Sequence, residues 1–287
     1  FVIGYVVGKI ENVDIKSLSF ISLNVLYPFL VFHTFYTNPI NVEFIYVLAA
    51  ITLLLIGMYV LIIILAKVLK FGRKKKYAML LAGLFMNGGN YGIPVVLFTL
   101  GNEGFVYAMM VMVIMSIYMN TVGLFIAASG ANEGVSKKKV LLKTIKMPII
   151  SAIILGVLFR VFDLTLPETV VNTISFMADA AIPLIMIVLG IQLSYITFRN
   201  IEYPAVVSLV IFRLILSPGL AVGINYLLGL NGTILGSVII LVAAMPTAAN
   251  TTMFSVNYNV EPDLVSSTTL ISTMLSLVTL PIWFYFL

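Results

Sequence analysis

Apolar runs of membrane-spanning length recur from end to end of this 287-residue chain, parted by short polar connections. A helix needs about 20 mostly apolar residues to cross a bilayer. In lipid every backbone N–H and C=O must find an internal partner, which leaves helices and closed barrels as the spanning forms. A barrel would read as short strands alternating apolar and polar residues, about ten at a time, and no such alternation is present. The sequence therefore predicts an all-α polytopic membrane protein. Charged residues make up 9% of the chain, against about 25% in soluble domains.

Ten apolar segments follow in order. The first, ending near Lys9, reads as the tail of a helix whose start precedes the sequence. The others cover about 17–36, 42–66, 77–100, 105–128, 141–162, 170–193, 205–228, 234–258 and 264–287. Of the sixteen Lys and Arg, all but Arg160 and Arg213 lie in or beside alternate connections. The positive-inside rule puts those connections in the cytoplasm and both termini outside. A multi-pass protein of the cell membrane is expected, in bacteria the inner membrane, with the lipid bilayer as its solvent. The basic residues flank apolar segments, so the net charge of +5 speaks for membrane orientation and not for nucleic acid. With no Cys and one His, neither a disulfide framework nor the usual zinc or haem site is expected. No paired acid–base constellation points to an enzyme, and no cofactor or metal is expected.

Two segments carry material that a continuous helix avoids. The fourth contains Asn87-Gly-Gly-Asn-Tyr-Gly-Ile-Pro94, and the ninth contains Met245-Pro-Thr-Ala-Ala-Asn250. Gly and Pro are the poorest helix formers, and backbone opened at membrane depth survives only beside protein or a cavity. Pro28 in segment two and Pro183 in segment seven recur at nearly the offset that relates the two breaks. The chain then divides into repeat 1 (1–128), a cytoplasmic connection (129–140) and repeat 2 (141–287). Five spans per repeat is an odd number, so the second copy sits inverted. Inverted repeats with interrupted helices at matching positions are a transporter signature.

Candidate substrate-binding residues are Asn87, Asn90 and Gly92 from the first break and Thr247, Asn250 and Thr251 from the second. Half-helix N-termini meeting there would favour an anion such as a carboxylate. The bland alternative is that Asn87 and Asn250 only cap the half-helices. Pro28, Pro94, Pro183 and Pro246 are the candidate hinges. Asp179 lies deep in segment seven, where a charge is expensive. It could couple a proton or cation, form a gating hydrogen bond, or touch substrate. Arg213 could pair with Asp179, receive a carboxylate, or snorkel. His33 could titrate near neutral pH or hydrogen-bond between helices. The run Met109, Met110, Met112, Met115 and Met119 reads as adaptable packing.

On Asn87–Pro94, on Ala244-Met-Pro-Thr-Ala-Ala-Asn-Thr-Thr252, and on Ala180-Ala-Ile-Pro-Leu184 with Leu189-Gly190, the chain resembles the auxin efflux carrier family over nearly its whole length. Its compact middle connection is similar to the prokaryotic members. The resemblance implies ten transmembrane helices as two inverted five-helix repeats, with broken helices 4 and 9 crossing. It also implies a scaffold of helices 1, 2, 6 and 7, and a transport domain of helices 3, 4, 5, 8, 9 and 10. Members move small organic anions, auxin in plants and dicarboxylates such as malate or malonate in bacteria. By position, Asn87, Asn90, Pro94, Pro246 and Asn250 would belong to the crossover, with Pro94 and Pro246 as its two central prolines. The sodium/bile acid symporter-like fold is a more distant likeness. The expected function is secondary transport of a carboxylate or dicarboxylate by an elevator-like shift, proton-coupled or uniporter-like. A sodium-coupled symporter and a channel or sensor on the same scaffold are the alternatives. H+ and, less readily, Na+ are the candidate coupling ions, and a homodimer remains open.

Overall fold

A computed structural model of the chain describes residues 2–38, 42–131, 142, 146–194 and 202–287. The connection expected at 129–140 falls almost wholly outside these, as does Arg199. The described chain is helical, and one isolated antiparallel bridge, Met86 with Thr247, is its sole extended pairing. Six helical runs are long and apolar enough to cross a membrane: Ser17–Thr37, Glu43–Val68, Gly88–Gly130, Glu168–Gln192, Tyr203–Leu228 and Pro262–Tyr285. Pro148–Val161 and Ile234–Ala243 are shorter apolar helices. The protein is thus an all-α polytopic membrane protein.

Two compact units divide the chain, and they interleave in sequence. One takes residues 1–43 and 142–197, the other 44–141 and 198–287. The first unit holds α1 (Val2–Ile10), α2 (Ile15–Ile21), α3 (Tyr27–Thr37), α8 (Pro148–Val161), α9 (Glu168–Asp179) and α10 (Ala181–Ser194). In it α1 packs on α10 at backbone contact. A Cβ at Gly4 would collide with the Ile187 carbonyl, and one at Gly8 with the Ser194 side chain. Such small-xxx-small spacing is how helices approach closely where lipid supplies no hydrophobic drive. Helix α3 packs on α8 in the same manner, Gly156 lying against the Phe32 carbonyl. Phe32, Tyr36 and Phe159 close that contact, with Phe32 and Tyr36 stacked at 5.7 Å.

Segment seven is one apolar run, Glu168–Gln192, with a turn at Ala180 that parts it into α9 and α10. Pro183 has no N–H for the Asp179 carbonyl, and its ring would press on that oxygen. The helix is interrupted by a turn at Ala180, which leaves Asp179 as the last residue of α9 and exposed.

The second unit holds α4 (Glu43–Val68, its first residue excepted), α5 (Arg73–Leu84), α6 (Ile93–Tyr118), α7 (Leu124–Gly130), α11 (Tyr203–Ile211), α12 (Ser217–Leu228), α13 (Ile234–Ala243), α14 (Ala249–Asn257) and α15 (Pro262–Tyr285). The run Gly88–Gly130 is 43 residues long, about 65 Å if straight and twice a hydrocarbon core. It turns back at Gly101, whose φ of 70° is open to glycine and costly to other residues. As a result a Cβ at Gly104 would lie 3.2 Å from Val96 Cγ1, atoms that a straight helix would hold about 12 Å apart. The methionines from Met109 to Met119 are all buried in this unit.

Prolines also explain three widened turns. The π-helical stretches Ser22–Leu26, Gly88–Gly92 and Phe212–Leu216 each end two residues before a proline: Pro28, Pro94 and Pro218. A proline ring crowds the carbonyl one turn back. Letting the preceding residue donate across a longer loop moves that carbonyl aside: Tyr27 N–H to Ser22, Ile93 to Gly88, Ser217 to Phe212. The Leu214 carbonyl that Pro218 leaves without its usual donor accepts from the indole N–H of Trp283 (2.8 Å).

Candidate functional site

The two breaks meet within the second unit. Helix α5 stops at Leu84, Phe85 turns extended, and the widened turn from Gly88 leads into α6. Helix α13 stops before Pro246, because the residue preceding a proline is pushed out of helical conformation. Helix α14 then starts at Ala249. Between these stops and starts the two chains pair antiparallel. The Asn87 N–H donates to the Pro246 carbonyl (2.8 Å), and the Ala248 N–H donates to the Phe85 carbonyl (2.9 Å). The opened backbone of each break is thus satisfied by the other, the condition for non-helical chain at membrane depth.

Side chains finish the pairing. Thr247 is fully buried; its hydroxyl donates to the Ala82 carbonyl (2.8 Å) and its N–H donates to Ser272 Oγ (3.2 Å). The Ser276 hydroxyl donates to the Tyr91 phenol oxygen (3.1 Å). Thr252 and Thr269 hydroxyls meet at 3.3 Å. Helix α15 therefore presents Thr269, Ser272 and Ser276 to both breaks. Sequence reasoning missed these serines, although Thr268, Ser272 and Ser276, all wholly buried, recur every fourth residue along one face.

Arg213 is the centre of the arrangement. It is 0% exposed, which rules out snorkelling. Its Nη1 donates to the carbonyls of Gly83 (3.1 Å) and Leu84 (3.3 Å), at the end of α5. Its Nη2 donates to the Ala243 carbonyl (2.6 Å), at the end of α13, and to Ser217 Oγ, and lies 3.7 Å from Met86 Sδ. Ser217 in turn donates to the same Ala243 carbonyl (2.9 Å). None of these partners is a carboxylate, and Asp179 belongs to the other compact unit. A helix C-terminus carries about half a negative elementary charge. One guanidinium thus answers the carbonyl ends of both broken helices, and its rigid fork of donors suits that task. The positive N-terminal ends, at Gly88 and Ala249, have no carboxylate hydrogen-bonded to them among the described residues.

The candidate residues separate into two groups. Thr247 and Thr251 are consumed by the fold; Thr251 is buried and its hydroxyl donates to the Ala248 carbonyl (2.7 Å). Gly92 is buried with its N–H on the Asn87 carbonyl (2.9 Å). Asn87 stands at the start of its half-helix, yet its side chain does not cap it. Asn250, half-buried in the first turn of α14, does not cap that helix either. The capping alternative drawn from sequence is absent for both. Neither amide side chain bonds a described residue, and both sit at half-helix N-termini. Asn90 is half-buried in the widened turn and engaged. Pro94 and Pro246 are not equivalent: Pro246 lies inside the pairing, and Pro94 lies in the first turn of α6 beyond it. In the other unit, Pro28 opens α3 and is half-buried, and Pro183 is exposed near the start of α10. His33 is half-buried on α3, and its imidazole bonds no described residue. Among the described residues no group of three or more His, Cys, Asp or Glu could hold a metal ion.

Similarity to known proteins agrees with this architecture. A family profile described as Membrane transport protein matches residues 1–284. An uncharacterized transporter of Methanothermobacter thermautotrophicus is 31% identical over 285 residues, 97% of this chain and 91% of that protein. An uncharacterized transporter of Methanocaldococcus jannaschii is 26% identical over 297 residues, 98% of this chain and 93% of that protein. A multi-pass helical chain whose broken helices pair, matched along its full length by this profile, belongs to the membrane transport protein family, the auxin efflux carrier family of secondary transporters.

Proposed function

We propose that the chain carries a small organic anion, a carboxylate, across the cell membrane by alternating access. The observation that carries this reading is the paired break: two half-helix N-termini and two amides unbonded by described residues, Asn87 and Asn250, beside a guanidinium that answers the opposing C-termini. Backbone N–H groups and positive dipole ends bind carboxylates in the same way that half-helices do in other carriers. Asn87 and Asn250 amide N–H groups donate to the carboxylate oxygens, and Asn90 and the Gly92 turn shape the pocket wall.

The two compact units support an elevator-like division. The unit of α1–α3 and α8–α10 serves as scaffold, and the unit with the breaks serves as the moving transport domain. Ten spans in two inverted repeats are supported by an exchange of partners: α1 packs on α10 while α3 packs on α8, as a two-fold axis in the membrane plane requires. The ion pair of Lys75 with Glu202 joins two connections assigned to the cytoplasm. Net flux follows the anion's own gradient or a proton gradient.

Purified protein in proteoliposomes, offered radiolabelled lactate, malate, malonate and indole-3-acetate, tests the reading. Saturable uptake of at least one is expected. No uptake of any of them would overturn it. Imposing pH and sodium gradients separately on the active compound assigns the coupling ion.

A further inference from the structure

We infer that Arg213 is the fixed counter-charge of the anion site, so that the buried centre of the empty transport unit bears one positive charge and a bound monocarboxylate neutralises it. This rests on the anion-carrier reading above. Arg213 is the one buried charged side chain among the described residues. Its partners are carbonyls, a hydroxyl and a thioether, and its Nε is sealed from solvent without a partner. Guanidinium groups stay protonated in proteins. Intramembrane charges ordinarily pair with an opposite charge or with backbone carbonyls. Here carbonyls supply the hydrogen bonds, and no described carboxylate supplies the opposite charge. Of the described carboxylates of the same unit, Glu103, Glu261 and Asp263 lie near the Gly101 turn or the α14–α15 connection, and Glu202 pairs with Lys75.

Its placement makes the charge act on the site. Met86, in contact with Nη2, directly precedes Asn87. Without Arg213 the C-termini of α5 and α13 would together bring about one negative elementary charge beside the binding residues. Arg213 cancels that field, and the positive N-termini at Gly88 and Ala249 then dominate. The buried centre at the paired breaks keeps the one positive charge of Arg213 until an anion arrives. A loaded unit carrying a monoanion crosses the membrane with no net charge from this centre. The empty unit returns with one.

The consequence is electrical. One elementary charge crossing the whole field is worth up to about fifty-fold in equilibrium per 100 mV. Exchange, in which the unit is loaded in both directions, is expected to ignore voltage for a monoanion. Net uptake, which includes the empty return, is expected to respond to it. A dianion leaves one negative charge on the loaded unit, so its exchange responds as well.

The test uses the full chain in proteoliposomes with potential set by potassium and valinomycin, and radiolabelled indole-3-acetate and malate as mono- and dianion probes. For the wild type, indole-3-acetate exchange should stay within about twofold between zero and 100 mV, while its net uptake, or malate exchange, changes several-fold. Arg213→Lys keeps the charge and loses the fork; it should lower thermal stability yet preserve voltage-insensitive exchange. Arg213→Gln should raise KM about tenfold or more, because the uncancelled C-terminal field of α5 and α13 then opposes the anion, and make monoanion exchange voltage-sensitive. Monoanion exchange as voltage-sensitive as net uptake in the wild type overturns the inference, as does an Arg213→Gln protein with unchanged KM and voltage response. If Arg213→Gln does not fold, the wild-type comparison decides alone. Movement of neither probe overturns the carrier reading and this inference together, a result distinct from flux with the wrong voltage dependence.

Discussion

Asn87 and Asn250 on one side, and Thr247 on the other, show how residues of similar polarity at one junction take opposite duties. The Thr247 hydroxyl is spent on the Ala82 carbonyl. Thr247→Val keeps the shape and leaves that carbonyl without its donor, at a cost of about 1–3 kcal/mol. The expected result is a lower melting temperature in detergent, read by thermal unfolding, with substrate KM little changed in the protein that stays folded. Asn87→Ala and Asn250→Ala reverse the pattern. Their side chains bond no described residue, so melting temperature should hold. Each removes a hydrogen bond to a charged ligand, about 1.5–3 kcal/mol, or roughly tenfold to a hundredfold in affinity. Binding of the transported carboxylate by isothermal titration checks this; unchanged affinity in both variants would remove the asparagines from the site. Composition named Asn and Thr equally. Only hydrogen-bond partners could divide them, and those come from a helix far along the chain.

At the level of elements, proline placement was legible in the sequence, and its consequence was not. Pro28, Pro94 and Pro183 stood out, but a kink, a break and a widened turn are all open to an intramembrane proline. The outcome depends on who takes the freed carbonyl. At Pro218 that partner is Trp283, on another helix and the single Trp of the chain. Trp283→Phe keeps the aromatic bulk and removes the donor. It should cost about 1–3 kcal/mol by leaving the Leu214 carbonyl unpaired, measured as a fall in melting temperature. The places of Pro94 and Pro246 differ for a related reason: the breaks pair through the bridge of Met86 with Thr247, and sequence pattern carries no register for antiparallel pairing. The Gly4 and Gly8 contact could have been read from small-xxx-small spacing. Gly4→Val would drive a side chain into the Ile187 backbone, and a sharp loss of folded yield on size-exclusion chromatography is expected.

For the molecule as a whole, hydropathy carried the all-α multi-span class, because lipid permits so few backbone solutions. The grouping of helices into two interleaved units was not accessible to periodicity, which reports which face is apolar and not what covers it. Orientation rests on the basic connections, and the absence of Cys makes it directly measurable. Lys74 and Asn231 are both exposed, the first in a connection assigned to the cytoplasm and the second in one assigned outside. With a membrane-impermeant maleimide on intact cells, Asn231→Cys should be labelled and Lys74→Cys labelled only after permeabilisation. The reverse pattern would invert the topology. The same chemistry separates a carrier from a channel. Asn250→Cys sits at the paired breaks, where alternating access opens one side at a time. In oriented vesicles, an imposed carboxylate gradient should shift its labelling from one face toward the other, and a saturating carboxylate that binds the site should protect it. Labelling from both faces at equal rate, together with ionic conductance across a planar bilayer, would instead describe a continuous pore.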